Sequence, residues 1–222
     1  MLTRWADGVF TETRKMKFFG VECGTRMVVL RLAQGGLFVL SPVALTAETR
    51  REVDALGEVR AVVAPSIFHH VFVGEWMAAY PKAVFAACPG LEWKRTDLAF
   101  TCVLGDQPHP IWADDLEQVY FSARRENEVD FCHRATGTLL VTDALLNLST
   151  HPLLSTRLVA RLMANSAPGL GWMEPLMVRD RKLARRQVDR MLGWDFDRIL
   201  LAHGAPVERD GKAVLRRAYD WL

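Results

Sequence analysis

The sequence predicts a layered α/β fold, and three features carry that prediction. Short β-branched apolar runs alternate with helix-patterned segments. Gly and Pro signals separate them. Residues able to do chemistry fall just past the ends of the apolar runs, where loops converge in such folds. At 222 residues the chain can bury a sizeable core. It reads as one domain over 1–222, with halves of roughly 1–110 and 111–222.

The first half opens as a meander of antiparallel strands, over residues 16–23, 27–33 and 37–40, divided by Gly24-Thr25 and Gln34-Gly35-Gly36. Ser41-Pro42 breaks the pattern. Thr46 is placed to cap a helix running to Leu56, with Glu48 and Glu52 near its positive end and Gly57 as its stop. Val59–Ala64 is a buried strand that leads into Pro65-Ser66-Ile67-Phe68-His69-His70. A helix over 71–80 and a strand over 82–87 complete a β-α-β-α-β series.

In the second half, strands are expected over 118–122, 129–133 and 138–142, with Ala135-Thr136-Gly137 as the turn between the last two. Residues 150–192 read as helical, interrupted at Ala167-Pro168-Gly169. A short strand over 199–202 ends at His203-Gly204, and a last helix covers 212–222.

Composition narrows the classes. Half of the residues are apolar and 24% charged, ordinary values for a globular protein. The 28 basic and 26 acidic residues leave a net charge of +2, without the basic bias that nucleic-acid binding needs. No apolar run reaches the length of a membrane span, so no membrane partner is expected. The first residues lack the apolar core of a signal peptide. Cys23, Cys88, Cys102 and Cys132 have no paired spacing and read as reduced thiols of a cytoplasmic protein.

Of the six histidines, His69, His70 and His203 follow predicted strands, as does Asp143. Imidazole and carboxylate together suit zinc, iron or manganese. The plainer reading of each residue alone is structural: a hydrogen-bonded loop histidine, or for Asp143 a cap on the turn that follows. Their shared position at strand ends is what points to a metal. His109, His133 and His151 are given no role.

These segments resemble the metallo-β-lactamase superfamily, and within it a divergent branch with A-P-[NS]-x-x-H-H in place of the usual metal loop. The resemblance rests on Ala64-Pro65-Ser66-Ile67-Phe68-His69-His70, on Thr138-Leu139-Leu140-Val141-Thr142-Asp143 and on Leu200-Leu201-Ala202-His203-Gly204. It implies a four-layer αββα sandwich. Laid on the superfamily's H-x-H-x-D-H loop, Pro65 and Ile67 take the first two histidine slots, His69 the aspartate slot and His70 the last. The later histidine of the first metal site is also missing from residues 122–128.

The first site is therefore erased. The resemblance leaves a second, mononuclear site of His69, His70, Asp143 and His203, holding one divalent metal, zinc or iron. For adjacent His69 and His70 to meet one ion, the loop must turn sharply. Glu128 reads as a surface residue of the charged run 124–130, with an approach to the erased site as the alternative.

The implied function is metal-dependent hydrolysis of a small ester, lactone, thioester or phosphoester, with His69 or Asp143 as general base where it is not bound to the metal. The first alternative is a non-catalytic descendant, metal-free or metal-binding, that uses the fold for binding or assembly. The second is an iron protein of oxygen or redox chemistry. The seven tryptophans and Met163, Met173, Met177 and Met191 read as core, with a homodimer face as the alternative.

Overall fold

The computed structural model describes residues 1–165, 167–169 and 171–222. The first half contains β1 (Thr3–Ala6), β2 (Val9–Arg14), β3 (Lys17–Phe18), β4 (Val21–Glu22), β5 (Thr25–Arg31) and β6 (Leu37–Leu40). Then come α1 (Ala47–Leu56), β7 (Val59–Ala64), α2 (Val73–Ala79), β8 (Val84–Ala87), α3 (Leu91–Lys94) and β9 (Cys102–Val103). The second half contains β10 (Leu116–Phe121), β11 (Glu128–His133), β12 (Thr138–Val141), α4 (Leu154–Leu162) and α5 (Glu174–Met177). It closes with α6 (Arg181–Leu192), β13 (Arg198–Leu201) and α7 (Gly211–Ala218).

Two sheets form the centre. The first runs β1-β2-β5-β6-β7-β8-β9, antiparallel as far as β6 and parallel beyond it, where helices make the crossovers. The second runs β10-β11-β12-β13, with only its last pair parallel. Strand β11 shows how one sequence serves two layers. Val129 and Phe131 join the core between the sheets, whereas Cys132 joins the cluster under α6 and α7. Phe131 meets Phe38 of the first sheet edge-on at 5.6 Å. Val53 of α1, with Val73 and Trp76 of α2, closes the outer face of the first sheet. The layers are helix, sheet, sheet, helix.

Helix α1 begins where Thr46 Oγ1 accepts the Thr49 N–H at 3.1 Å and stops at Gly57, whose φ of 148° favours glycine. Asp180 caps α6 in the same manner, accepting from Leu183 N at 2.9 Å.

Four expectations are corrected. Residues 16–23 do not form one strand: Phe19 and Gly20 take positive φ and fold them into the separate hairpin β3–β4. The meander instead begins earlier, with β1 and β2. The helical reading of 150–192 holds for α4, α5 and α6 only; α4 ends where Ala164 turns to a φ of 58°, and residues 166 and 170 lie outside the described residues. The last helix stops at Ala218. Trp76, Trp112 and Met191 are core, but Trp93 and Trp172 are exposed.

Candidate metal centre

Three loops at the carboxyl ends of β7, β12 and β13 meet, and each is fixed by residues around it. After β7 the chain winds about Ser66, which is fully buried. Its hydroxyl oxygen accepts the N–H of Phe68 at 3.3 Å and of His69 at 3.4 Å, and the hydroxyl donates to Asp143 Oδ2 at 2.9 Å. This turn separates the two adjacent histidines. His69 Nδ1 lies 2.7 Å from Ser41 Oγ, at the end of β6, where Ser41 sits in the left-handed region with φ 53°.

After β12, Thr142 and Asp143 are held from behind by Glu128. Its carboxylate accepts the Thr142 N–H, the Thr142 hydroxyl at 2.7 Å, and the Asp143 N–H on both oxygens. Arg124 adds a bond from its guanidinium to the Asp143 carbonyl at 3.0 Å. After β13, the Arg26 guanidinium donates to the carbonyls of Leu201 and Gly204. Gly204 has φ 90°, and a Cβ there would stand 1.9 Å from the Asn147 carbonyl oxygen. Only glycine lets the His203 loop lie this close to its neighbour. His203 Nδ1 donates to the Gly24 carbonyl at 2.6 Å, which leaves Nε2 facing inward.

His69 Nε2, His203 Nε2 and Asp143 Oδ1 form a triangle with sides of 3.1, 3.5 and 3.5 Å. A point about 2.0 Å from all three lies at its centre, close to zinc–nitrogen and zinc–oxygen bond lengths of about 2.0–2.2 Å. Two ring nitrogens and a carboxylate oxygen at that spacing suit a cation, either a shared proton or a metal ion that replaces it. The second partners of the rings, a hydroxyl and a backbone carbonyl, are those that orient metal-bound imidazoles. The residues present therefore fit a divalent metal.

Electrostatics mark the same point as a place for positive charge, a proton as much as a metal ion. Burial by itself raises Asp143, but the flanking His69 and His203 rings outweigh it and hold the carboxyl well below the usual range. Burial by itself lowers His203, but Asp143, with Cys23 also against the ring, pushes it up to about 10, so a metal taken up at neutral pH displaces the Nε2 proton.

His70 is placed differently. The Arg95 guanidinium, always a donor, faces its Nδ1 at 3.0 Å, so neutral His70 carries its proton on Nε2. Burial, with Lys94 and Arg95 nearby, lowers its pKa to about 4. Among the described residues, the group able to share one ion is His69, Asp143 and His203, without His70. Elsewhere, His109 stacks on Trp112, His133 bonds Thr136, and His151 accepts from the backbone of Leu153.

The reading of Glu128 as a surface residue is corrected: it is fully buried and organises the Asp143 loop. The charged run that suggested exposure is itself an internal network, with Arg124 and Asp130 also fully buried. Ser41, Arg26 and the Gly24 carbonyl carry no motif. Only the fold brings them to the centre.

The layers and the strand-end centre define a metallo-β-lactamase fold. The structure is similar to DIM-1 metallo-β-lactamase exposed to ceftazidime, at a TM-score of 0.71 and 13% identity over 99% of this chain and 94% of that one. It is similar to the metallo-β-lactamase from Pontibacter korlensis at 0.69 and 12%, over 99% and 97%. The Flv1 flavodiiron core from Synechocystis sp. PCC6803 matches at 0.70 and 11%, over 100% of this chain and 60% of that one. At such identities the likeness is one of fold. Residues 6–168 match the family described as a domain of unknown function, DUF4336, and the chain belongs to that family. No curated protein is significantly similar to it.

Proposed function

We propose that the protein is a mononuclear metallohydrolase whose ion is held by His69, Asp143 and His203. The observation that carries this reading is the triangle of inward-facing acceptors, each oriented by a second hydrogen bond. Two imidazoles and one carboxylate are a donor set of catalytic zinc sites, which keep a further position open. A divalent cation there supplies Lewis acidity and lowers the pKa of water from ~15.7 toward ~7.

The chain's own residues do the rest. Ser41 and the Gly24 carbonyl fix the ring orientations and direct both Nε2 atoms to one point. Ser66 holds Asp143 Oδ2 while Oδ1 faces the two rings. Oδ2, outside the triangle, already accepts from Ser66 and has a free lone pair with which to orient an attacking water by a hydrogen bond. Esters, lactones, thioesters and phosphoesters are the substrate classes this chemistry serves. His70 supports the loop through Arg95 in this reading and is not a ligand.

A second reading follows from the same donor set. Two histidines and one carboxylate with open positions also hold non-haem iron(II) in oxygen chemistry, and one structurally similar protein is a flavodiiron core.

Metal analysis of protein purified without chelator tests both. Near one equivalent of zinc, with hydrolysis of one of the four ester classes lost in His203→Ala, is the expected result. One equivalent of iron with oxygen consumption selects the second reading. No bound metal, together with unchanged melting on adding zinc or iron, rejects both and leaves a binding protein.

A further inference from the structure

An apolar rim lies beside the metal centre. The hairpin β3–β4 presents Phe18 and Phe19, the latter 93% exposed. Helix α4 presents Leu154, Leu158 and Leu162, spaced by four so that they form one stripe, each at least 60% exposed. Three contacts make these elements continuous. The Phe18 ring packs edge-on against Phe68 at 5.9 Å. Thr156 Oγ1 donates to the Glu22 carbonyl at 2.8 Å, fastening α4 to the hairpin. Trp172, also exposed, donates from its indole to the Leu162 carbonyl at 3.1 Å. Phe68 immediately precedes His69, and Gly24 at the base of the hairpin holds His203.

Charge decides what fits this face. Lys15 just before the hairpin, Lys17 on it, and Arg157 and Arg161 on α4 are exposed. No described residue forms an ion pair with any of the four. Residues 150–173 contain no Asp or Glu, and the hairpin's one acid, Glu22, accepts the backbone N–H groups of Met16 and Gly24. A second copy of the chain docking by two-fold symmetry would set this cationic face against itself. The complementary partner is apolar beneath and anionic at its surface.

We propose that this rim docks on an anionic lipid surface, with Phe18, Phe19 and the leucine stripe in the acyl boundary and the four cations at the headgroups. Such docking needs no spanning helix. It departs from the expectation, drawn from the absence of a long apolar run, that no membrane partner exists.

Cosedimentation of the full chain with vesicles tests this, comparing pure phosphatidylcholine with equal parts phosphatidylcholine and phosphatidylglycerol. The expected result is pelleting with the anionic vesicles only, weakened by added salt. Each basic residue near such a surface contributes on the order of five-fold in partitioning, so Arg157→Gln with Arg161→Gln lowers it by roughly twenty-fold or more. Phe19→Ser or Leu158→Ser lowers it by about ten-fold. These side chains are exposed, so circular dichroism and metal content stay unchanged, which separates this test from that of the metal reading. Failure to pellet with anionic vesicles, or equal pelleting of the variants, overturns the proposal. So does a dimer in sedimentation velocity that Leu158→Ser disperses while no vesicle binding is seen: the face then pairs two copies.

Discussion

Both oxygens of the Glu128 carboxylate accept the backbone N–H of Asp143, at 3.1 and 3.0 Å, from a position fully shielded from water. The angle at which Asp143 presents its side chain is thereby set by another acid. In Glu128→Gln, an amide nitrogen replaces one acceptor and confronts a backbone donor. The expected outcome is a loss of metal affinity of about 10–100-fold, with a destabilisation of about 1–3 kcal/mol. Metal titration and urea denaturation measure the two. Unchanged affinity in a folded variant would remove Glu128 from the support of the centre.

Asp130 sets a pH dependence. Burial, and next the neighbouring Glu128, push its carboxyl well above the ordinary value, and neither of its oxygens meets a donor among the described residues. The folded chain thus keeps a proton that the unfolded chain releases near pH ~3.9. More protons are bound when folded, so this group's contribution falls as pH rises above about 4, until the folded pKa is passed. Asp130→Asn keeps a neutral N–H beside Glu128 at every pH. It is expected to stabilise the chain at neutral pH by about 1 kcal/mol or more and to flatten the decline, read as urea midpoints across that range. An equal decline in the variant would assign the slope to other groups.

His70 and His203 are predicted to differ as variants. His203→Ala removes one of three acceptors at the centre and should abolish stoichiometric metal. His70→Ala removes a ring whose Nδ1 faces Arg95, and should keep the metal while lowering stability modestly, by about 1 kcal/mol. Metal content after dialysis distinguishes them. Loss of metal in both variants would return His70 to the ligand set.

Gly204→Ala is expected to be among the most damaging single changes. Its Cβ would stand 1.9 Å from the Asn147 carbonyl oxygen at a φ of 90°, so strain and displacement of the His203 loop come together. A cost above about 3 kcal/mol, or failure to accumulate folded protein, is the expected result. Wild-type stability would mean that the loop relaxes freely.

Regular elements were readable from residues alone where pattern and packing agree. Strand β7 matches its β-branched run, and α1 matches its Thr46 and Gly57 caps. Residues 16–23 misled because an apolar run says nothing about positive φ at Phe19. At the centre, strand-end position drew attention to His69, Asp143 and His203, which lie together. Spacing could not separate His70 from His69, because the decisive partner, Arg95, is distant in sequence. Glu128 misled for a similar reason: a charged run signals solvent, yet here β11 buries it behind a backbone that needs an acceptor. A backbone carbonyl such as that of Gly24 has no sequence signature.

The bond from His203 Nδ1 to that carbonyl has a thermodynamic meaning. The hairpin bearing Phe18 and Phe19 is fastened through it to one corner of the triangle, so whatever restrains the hairpin contributes to how tightly the triangle holds a cation. Reciprocity then requires the cation to strengthen whatever the hairpin touches, by the same factor. With a metal at the centre and the rim docked as proposed, occupancy of one and engagement of the other are two halves of one equilibrium, and measuring either at saturating levels of the other gives the strength of the link.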